Sequence, residues 1–193
     1  MSVNPVTLRT GRLELSTLGP DDIDALIAAC QDPDIPRYTS VPSPFGRDEA
    51  QQLVAKTAAG WASGEHLVWG IRHGAALMGV VGLYRVDGRG SGELGYWLAA
   101  SARGRGILTE AARTALDWGF APADAGGAGL QRIEWHAVVG NDASARVAQT
   151  LGFHFEGVRR DALLGEGGRM DGWAAALLAT DDRAPRVWPV TGG

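Results

Sequence analysis

Apolar residues along this chain repeat with two periods, and the switches between them mark out its elements. Residues 12–18 alternate, with Leu13 and Leu15 on one side, which predicts a strand. After the Gly19-Pro20 break, Ile23, Leu26 and Ile27 recur at helical spacing and predict a helix over 21–29. Residues 32–45 carry Pro33, Pro36, Pro42 and Pro44, and a loop is expected there because each proline fixes φ and removes an amide donor. Ala50, Leu53, Val54 and Ala58 predict a second helix over 47–61. Three strands follow at 67–71, 77–86 and 92–98, parted by His73-Gly74 and by the polar turn Asp87-Gly88-Arg89-Gly90, as in an antiparallel meander. Ala111, Ala112, Ala115, Leu116 and Phe120 then recur at helical spacing after Leu108, and a glycine-rich loop through Gly126, Gly127 and Gly129 leads to a strand at 132–139. Asn141 suits the N-cap of a further helix, which Leu151-Gly152-Phe153 ends as a glycine cap with an apolar residue beyond it. Strands at 155–163 and 170–178 complete the pattern.

Strands and helices in this order imply a mixed α/β (α+β) layer around one central twisted sheet. The 193 residues, 45% of them apolar, suffice for a single domain over 1–180; the Pro- and Gly-containing residues 181–193 read as an irregular tail. There is no long apolar run and no basic leader ahead of one, so a cytoplasmic protein without membrane association is expected. A net charge of −4 gives no footprint for nucleic acid, whereas a mildly acidic surface tolerates a cationic amine or peptide. Cys30 is the only cysteine and continues the apolar pattern of its helix, which predicts a buried thiol. His66, His73, His136 and His154 have no paired ligand spacing, and no metal is expected.

The richest segment joins Gly92-Glu93-Leu94-Gly95-Tyr96-Trp97-Leu98 to Ser101-Ala102-Arg103-Gly104-Arg105-Gly106-Ile107-Leu108. It is a strand, a turn of arginines and glycines, and the start of a helix. The free N–H groups of the helix's first turn and its dipole favour an anion there, and glycines let the backbone approach it closely. Cations oppose the dipole at a helix N-terminus, so Arg103 and Arg105 suggest a missing negative partner. The turn is not a P-loop, since Gly-x-x-x-x-Gly-Lys-Ser/Thr is absent and Lys56 is the only lysine. Nor is it a dinucleotide fingerprint, since Thr109 stands at the third glycine.

The run 101–106 resembles the pyrophosphate loop of the GNAT superfamily of N-acetyltransferases, Gln/Arg-x-x-Gly-x-Gly/Ala, with Ser101 in place of the usual long polar residue. Asn141-Asp142-Ala143-Ser144 with Leu151-Gly152-Phe153 is similar to the superfamily's Asn-x-x-Ser…Leu-Gly-Phe signature. Together with Gly-Glu-Leu-Gly-Tyr-Trp-Leu and residues 7–15, it resembles the RimJ/RimL branch of ribosomal-protein alanine N-acetyltransferases and relatives.

The resemblance implies a GNAT fold of about seven strands and about four helices, in which the strands at 92–98 and 132–139 splay to admit the pantetheine arm. It implies acetyl-CoA as the acetyl donor, CoA as product, and direct attack by a primary amine, either a protein N-terminus or a small molecule. Relatives are often homodimers. Glu93 is then the leading general base, its pKa raised beside Trp97 or its proton drawn through water. Ser144 is placed to protonate the leaving thiolate, and Asn141 to contact the cofactor or the active site. Tyr96, Trp97 and Leu98 would line the arm, and Arg103, Gly104, Arg105, Gly106, Ile107 and Leu108 the pyrophosphate. Arg146 could reach the 3′-phosphate. Tyr38, Phe45 and Trp97 would wall the acceptor pocket, with His136, Asp161 and Glu156 in reserve as bases. The competing reading is a regulatory module that binds acyl-CoA without turnover. Most of the seven tryptophans are expected in the core.

Overall fold

The computed structural model of the chain describes residues 4–165 and 168–190. Its elements are β1 (Leu8–Arg9), β2 (Glu14–Ser16), α1 (Ile23–Ala29), α2 (Asp34–Tyr38), α3 (Arg47–Ser63), β3 (Leu67–His73), β4 (Ala76–Tyr84), β5 (Ser91–Leu98), α4 (Ile107–Phe120), β6 (Arg132–Val138), α5 (Asp142–Thr150), β7 (His154–Gly165) and β8 (Gly168–Leu178). The strands form one mixed sheet in the order β1-β2-β3-β4-β5-β6-β8-β7, antiparallel throughout except for β5 and β6. This is the α/β layer that the sequence implies. None of the helices described is long and apolar enough to cross a membrane.

Two differences have local causes. The first expected strand, 12–18, is shortened to β2 and preceded by an unforeseen β1, because the Thr10 N–H bonds to Leu13 O at 2.9 Å and closes a turn between the two, while Leu18 leaves the sheet for the core beneath α1. The expected proline loop contains α2. Pro33 stands at its N-cap and Pro36 at its third position, where an amide has no intrahelical acceptor in any case, so neither proline removes a hydrogen bond from the helix. The Asp34 N–H bonds instead to Asp32 Oδ1 at 3.0 Å.

Alternation along the strands gives the sheet two differently covered faces. Leu94, Leu98, Ile133 and Trp135 point toward α4 and α5, where Ala111, Ala112, Ala115 and Leu116 are buried against them. Val68 and Val80 point the other way, into a second core with Leu26, Ile35 and Ala50 of α1, α2 and α3. On that second face β6, β8 and β7 form the floor and walls of a cleft of about 470 Å³, lined by Glu134, His136, Glu156, Gly157, Val158, Arg159 and Ala174. Five of the seven tryptophans are buried, and Trp61, Trp69 and Trp118 pack at angles typical of core aromatics, with ring centroids 5.0 to 6.0 Å apart. Burial also pushes the Cys30 thiol up to about 11, as suits an inert core residue.

Candidate functional site

The centre of the site is a break in the sheet. β5 and β6 pair in parallel only from Ser91 with Arg132 to Glu93 with Glu134. Beyond that point β5 stays paired with β4 as far as Leu98, and β6 stays paired with β8 as far as Val138. Each strand therefore keeps its outer neighbour and loses its inner one. Among the described residues, the backbone edges that face each other across the gap have no strand partner there and can bond an extended amide-bearing chain.

The far end of β5 leads into the arginine-glycine turn. Gly104 and Gly106 both have φ of +71°, a left-handed conformation that side chains with a Cβ rarely adopt. A Cβ at Gly104 would meet nothing within 4 Å, and one at Gly106 only Arg12 Nη2 at 3.5 Å, so the turn is open on its outer side. The first bond of α4 is Glu110 N–H to Gly106 O at 3.1 Å, which leaves the amides of Ile107, Leu108 and Thr109 without intrahelical acceptors. An open glycine turn over free helix amides fits the pyrophosphate of acetyl-CoA. Ile107 is buried and anchors the helix start, and Leu108 packs against the same core.

The two arginines differ. Arg103 is paired with Asp32 at 2.6 Å and Asp34 at 3.3 Å, and its Nε donates to Leu98 O at 3.3 Å. Its expected missing anion is thus supplied by the loop before α2 and by α2 itself, which corrects the sequence reading at that residue. Arg105 is exposed, and its carbonyl accepts from Arg12 Nη2 at 3.0 Å. Arg12, which periodicity did not single out, also bonds Glu110 through Nε at 2.6 Å and so fixes the turn to the first turn of α4. Arg146 is exposed on α5.

On the α5 side of the break, the Asn141 side chain accepts from Ser144 N–H at 3.2 Å and caps α5. Ser144 Oγ lies 3.2 Å from the Tyr96 hydroxyl, which donates to Ser144 O at 3.1 Å and accepts from Trp135 Nε1 at 3.0 Å. Trp135 was not legible as a partner, since nothing in its strand's alternation ties it to a residue 39 positions away.

On the opposite face stand Glu93 and His136. His136 Nδ1 is 3.0 Å from Glu93 Oε2, and the same carboxylate oxygen is bonded by Arg85. Burial pushes the Glu93 carboxyl up, but hydrogen bonds from His136 and Arg85 and their charges outweigh it, and the group is held below the usual carboxylate range. The expected rise beside Trp97 is therefore reversed. The other imidazole nitrogen, Nε2, is 3.1 Å from Arg159 Nη1 and 3.9 Å from Glu134 Oε2. Glu156 is engaged by Arg132 at 2.7 Å. Asp161 is exposed at a bulge of β7, outside the cleft.

Of the expected acceptor walls, Trp97 is half-buried and packs against the second core, and Tyr38 is half-buried at the end of α2, with the Arg37 guanidinium 5.1 Å from its ring centre. α2 itself reaches β7. Phe45 is 7% exposed in the core with Leu26 and Ile35, so it is packing rather than an open wall.

With this geometry in hand, the chain matches the family model of the acetyltransferase (GNAT) domain over residues 12–154. It is 28% identical over 178 residues to the uncharacterised N-acetyltransferase p20 of Bacillus licheniformis, covering 89% of this chain and 96% of that protein. A solved acetyltransferase of Salmonella typhimurium, which modifies the N-terminal serine of 50S ribosomal subunit protein L7/L12, superposes with a TM-score of 0.79 at 20% identity over 90% of this chain and 99% of that one. Mycobacterium smegmatis RimJ in complex with CoA-disulfide gives 0.78 at 22% identity over 95% and 90%. At these identities the two structures establish the shared fold.

Proposed function

The chain belongs to the GNAT acetyltransferase family, and from that premise we propose that it is an N-acetyltransferase whose acceptor is a primary amine, a protein N-terminus or a small molecule. The observation that carries this reading is the break between β5 and β6, with a proton-handling pair on each face of the sheet. Acetyl-CoA supplies the acetyl group as a thioester, and transfer to an amine releases the CoA thiol.

The chain's own residues divide the work. Gly104 to Leu108 and Arg105 hold the pyrophosphate, and Arg146 lies on the helix beyond it. The edges of Tyr96 to Leu98 bind the pantetheine arm in the break, which orients the thioester between the two faces. Ser144, at the start of α5 and capped by Asn141, faces the sulfur side. Its hydroxyl can give up a proton there while the helix amides favour negative charge. Glu93 lies on the same face of the sheet as the cleft, bonded to the cleft residue His136, and the acceptor's proton leaves toward that pair. Tyr38 and Trp97 bound the acceptor's approach. Support for a peptide acceptor comes from the L7/L12-modifying acetyltransferase that shares the fold.

Calorimetric titration with acetyl-CoA, CoA and ATP tests the donor site. Binding selective for the CoA species is expected, and Gly104→Glu is expected to abolish it through charge and the positive φ. Thiol release with peptides beginning in serine or alanine, and with small amines, then tests the acceptor. A protein that prefers ATP would overturn the reading.

A further inference from the structure

We propose that His136, not Glu93, is the group that takes the proton from the acceptor amine, and that Glu93 is its positioning residue. This rests on the acetyltransferase reading and refines the part Glu93 plays in it. His136 is the first residue of β6 past the last β5 pair whose side chain lies on the cleft face, so it stands at the mouth of the break. Its side chain is only 10% exposed, which fixes the ring in place. The 3.0 Å contact with the Glu93 carboxylate requires a proton on Nδ1, because an ionised carboxylate only accepts. Nε2 is then the lone-pair nitrogen, and its 3.1 Å neighbour is a donor, Arg159 Nη1. A guanidinium N–H at that nitrogen presents what an acceptor ammonium would present, a cationic N–H donor arriving from the cleft.

Glu93 itself is poorly suited to the task. Arg85 and His136 both bond its Oε2 and hold it ionised, which makes it a weak base but a good anchor for an imidazolium. The proton passes from the acceptor's ammonium nitrogen to His136 Nε2, which frees the amine lone pair to attack the acetyl carbon. As the C–N bond forms and the C–S bond breaks, the leaving sulfur takes the Ser144 hydroxyl proton, and the nitrogen's second proton, lost through water, restores that hydroxyl. The imidazolium, stabilised by Glu93, then returns the proton to water in the cleft. The arrangement follows the general logic of a carboxylate that orients a histidine base. The charged groups around the ring are Glu93 and Arg85 on the β5 side, Glu134 and Arg132 on its own strand, and Arg159 and Glu156 on β7; β8 contributes only the small Ala174.

The test has two arms. Imidazole nitrogen NMR of the ligand-free protein reads the tautomer: neutral His136 is expected to carry its proton on Nδ1. In Glu93→Gln the preference for that tautomer is expected to weaken, because a carboxamide can also donate to Nδ1 and no longer demands a proton there. Thiol release with acetyl-CoA and a hexapeptide beginning in serine gives the second arm, with tyramine as a small-amine comparison. His136→Gln keeps an N–H for Glu93 but cannot take a proton, so kcat/KM is expected to fall about 10²- to 10³-fold, with loss of the limb where activity rises with pH. Glu93→Gln should keep that limb and move it to lower pH. An Nε2–H tautomer, or a His136→Gln enzyme with the wild-type pH profile, overturns the proposal while acetyl-CoA binding still upholds the acetyltransferase reading. Absence of acetyl-CoA binding by the wild type overturns both.

Discussion

Burial pushes the Tyr96 hydroxyl up to about 12, so it keeps its proton at neutral pH and donates it to Ser144 O while it accepts from Trp135 and Ser144. Ser144 is thus held in one orientation, with its hydroxyl proton directed at a group that can release it when a stronger acceptor arrives. Ser144→Ala is expected to lower kcat by about 10²-fold with unchanged acetyl-CoA affinity, measured by thiol release and calorimetry; full turnover would remove Ser144 from the chemistry. The motif around Glu93 and the cap at Asn141 were readable because they are local, set by alternation and by the start of a helix. The partners were not. His136 meets Glu93 across 43 positions, and only the parallel register that sets Glu93 beside Glu134 brings them together. Arg103 was misread for the same reason, since its anions, Asp32 and Asp34, lie about 70 residues earlier.

Strands 3 to 6 and helices α3 to α5 follow the periodicity closely because their buried faces repeat over two turns or several pleats. α2 escaped it, being five residues long and containing a proline that helix geometry tolerates only in the first turn. The entry to α1 depends on a charge instead. Asp22 Oδ2 accepts from Gly19 N–H at 2.8 Å and from Arg72 Nη2 at 2.8 Å, and Oδ1 accepts from Arg72 Nη1 at 2.6 Å, which ties the turn before α1 to β3. Burial raises the Asp22 carboxyl, but the bonds from Arg72 and Gly19 and the arginine's charge outweigh it and depress it overall. A depressed folded pKa contributes stability that is complete above the unfolded value of about 3.9 and is lost as pH falls through the folded one. Asp22→Asn is therefore expected to lower stability by about 1 to 3 kcal/mol at pH 7, because it leaves the half-buried Arg72 beside a neutral amide. In urea titrations the gap to wild type should stay constant down to about pH 5 and narrow below about pH 4. A gap independent of pH would show that the carboxylate's charge is not what holds α1 to the sheet.

The family match ends at residue 154, yet the molecule is not complete there. β7 and β8 close the cleft beside His136, and Trp188, in the segment after β8, is buried at 2% exposure. Its ring lies 5.3 Å from Trp135 and 5.5 Å from Phe155, and its Nε1 donates to Phe153 O at 2.9 Å. Trp135 in turn bonds Tyr96, and Tyr96 bonds Ser144, so the segment supports the α5 face of the site from behind. Composition marked these residues as a tail, because prolines and glycines surround the tryptophan and no period frames a single anchor. Trp188→Ala is expected to cost about 3 to 5 kcal/mol, read as a lower urea midpoint. It should also lower kcat at temperatures where the fold persists, because Trp135 loses the surface that fixes its indole. Trp188→Phe keeps most of the apolar area but loses the bond to Phe153 O, so it should restore much of the stability. If Trp188→Ala unfolds at the wild-type midpoint, the segment only rests on the core, and the support for Tyr96 and Ser144 comes from α5 alone.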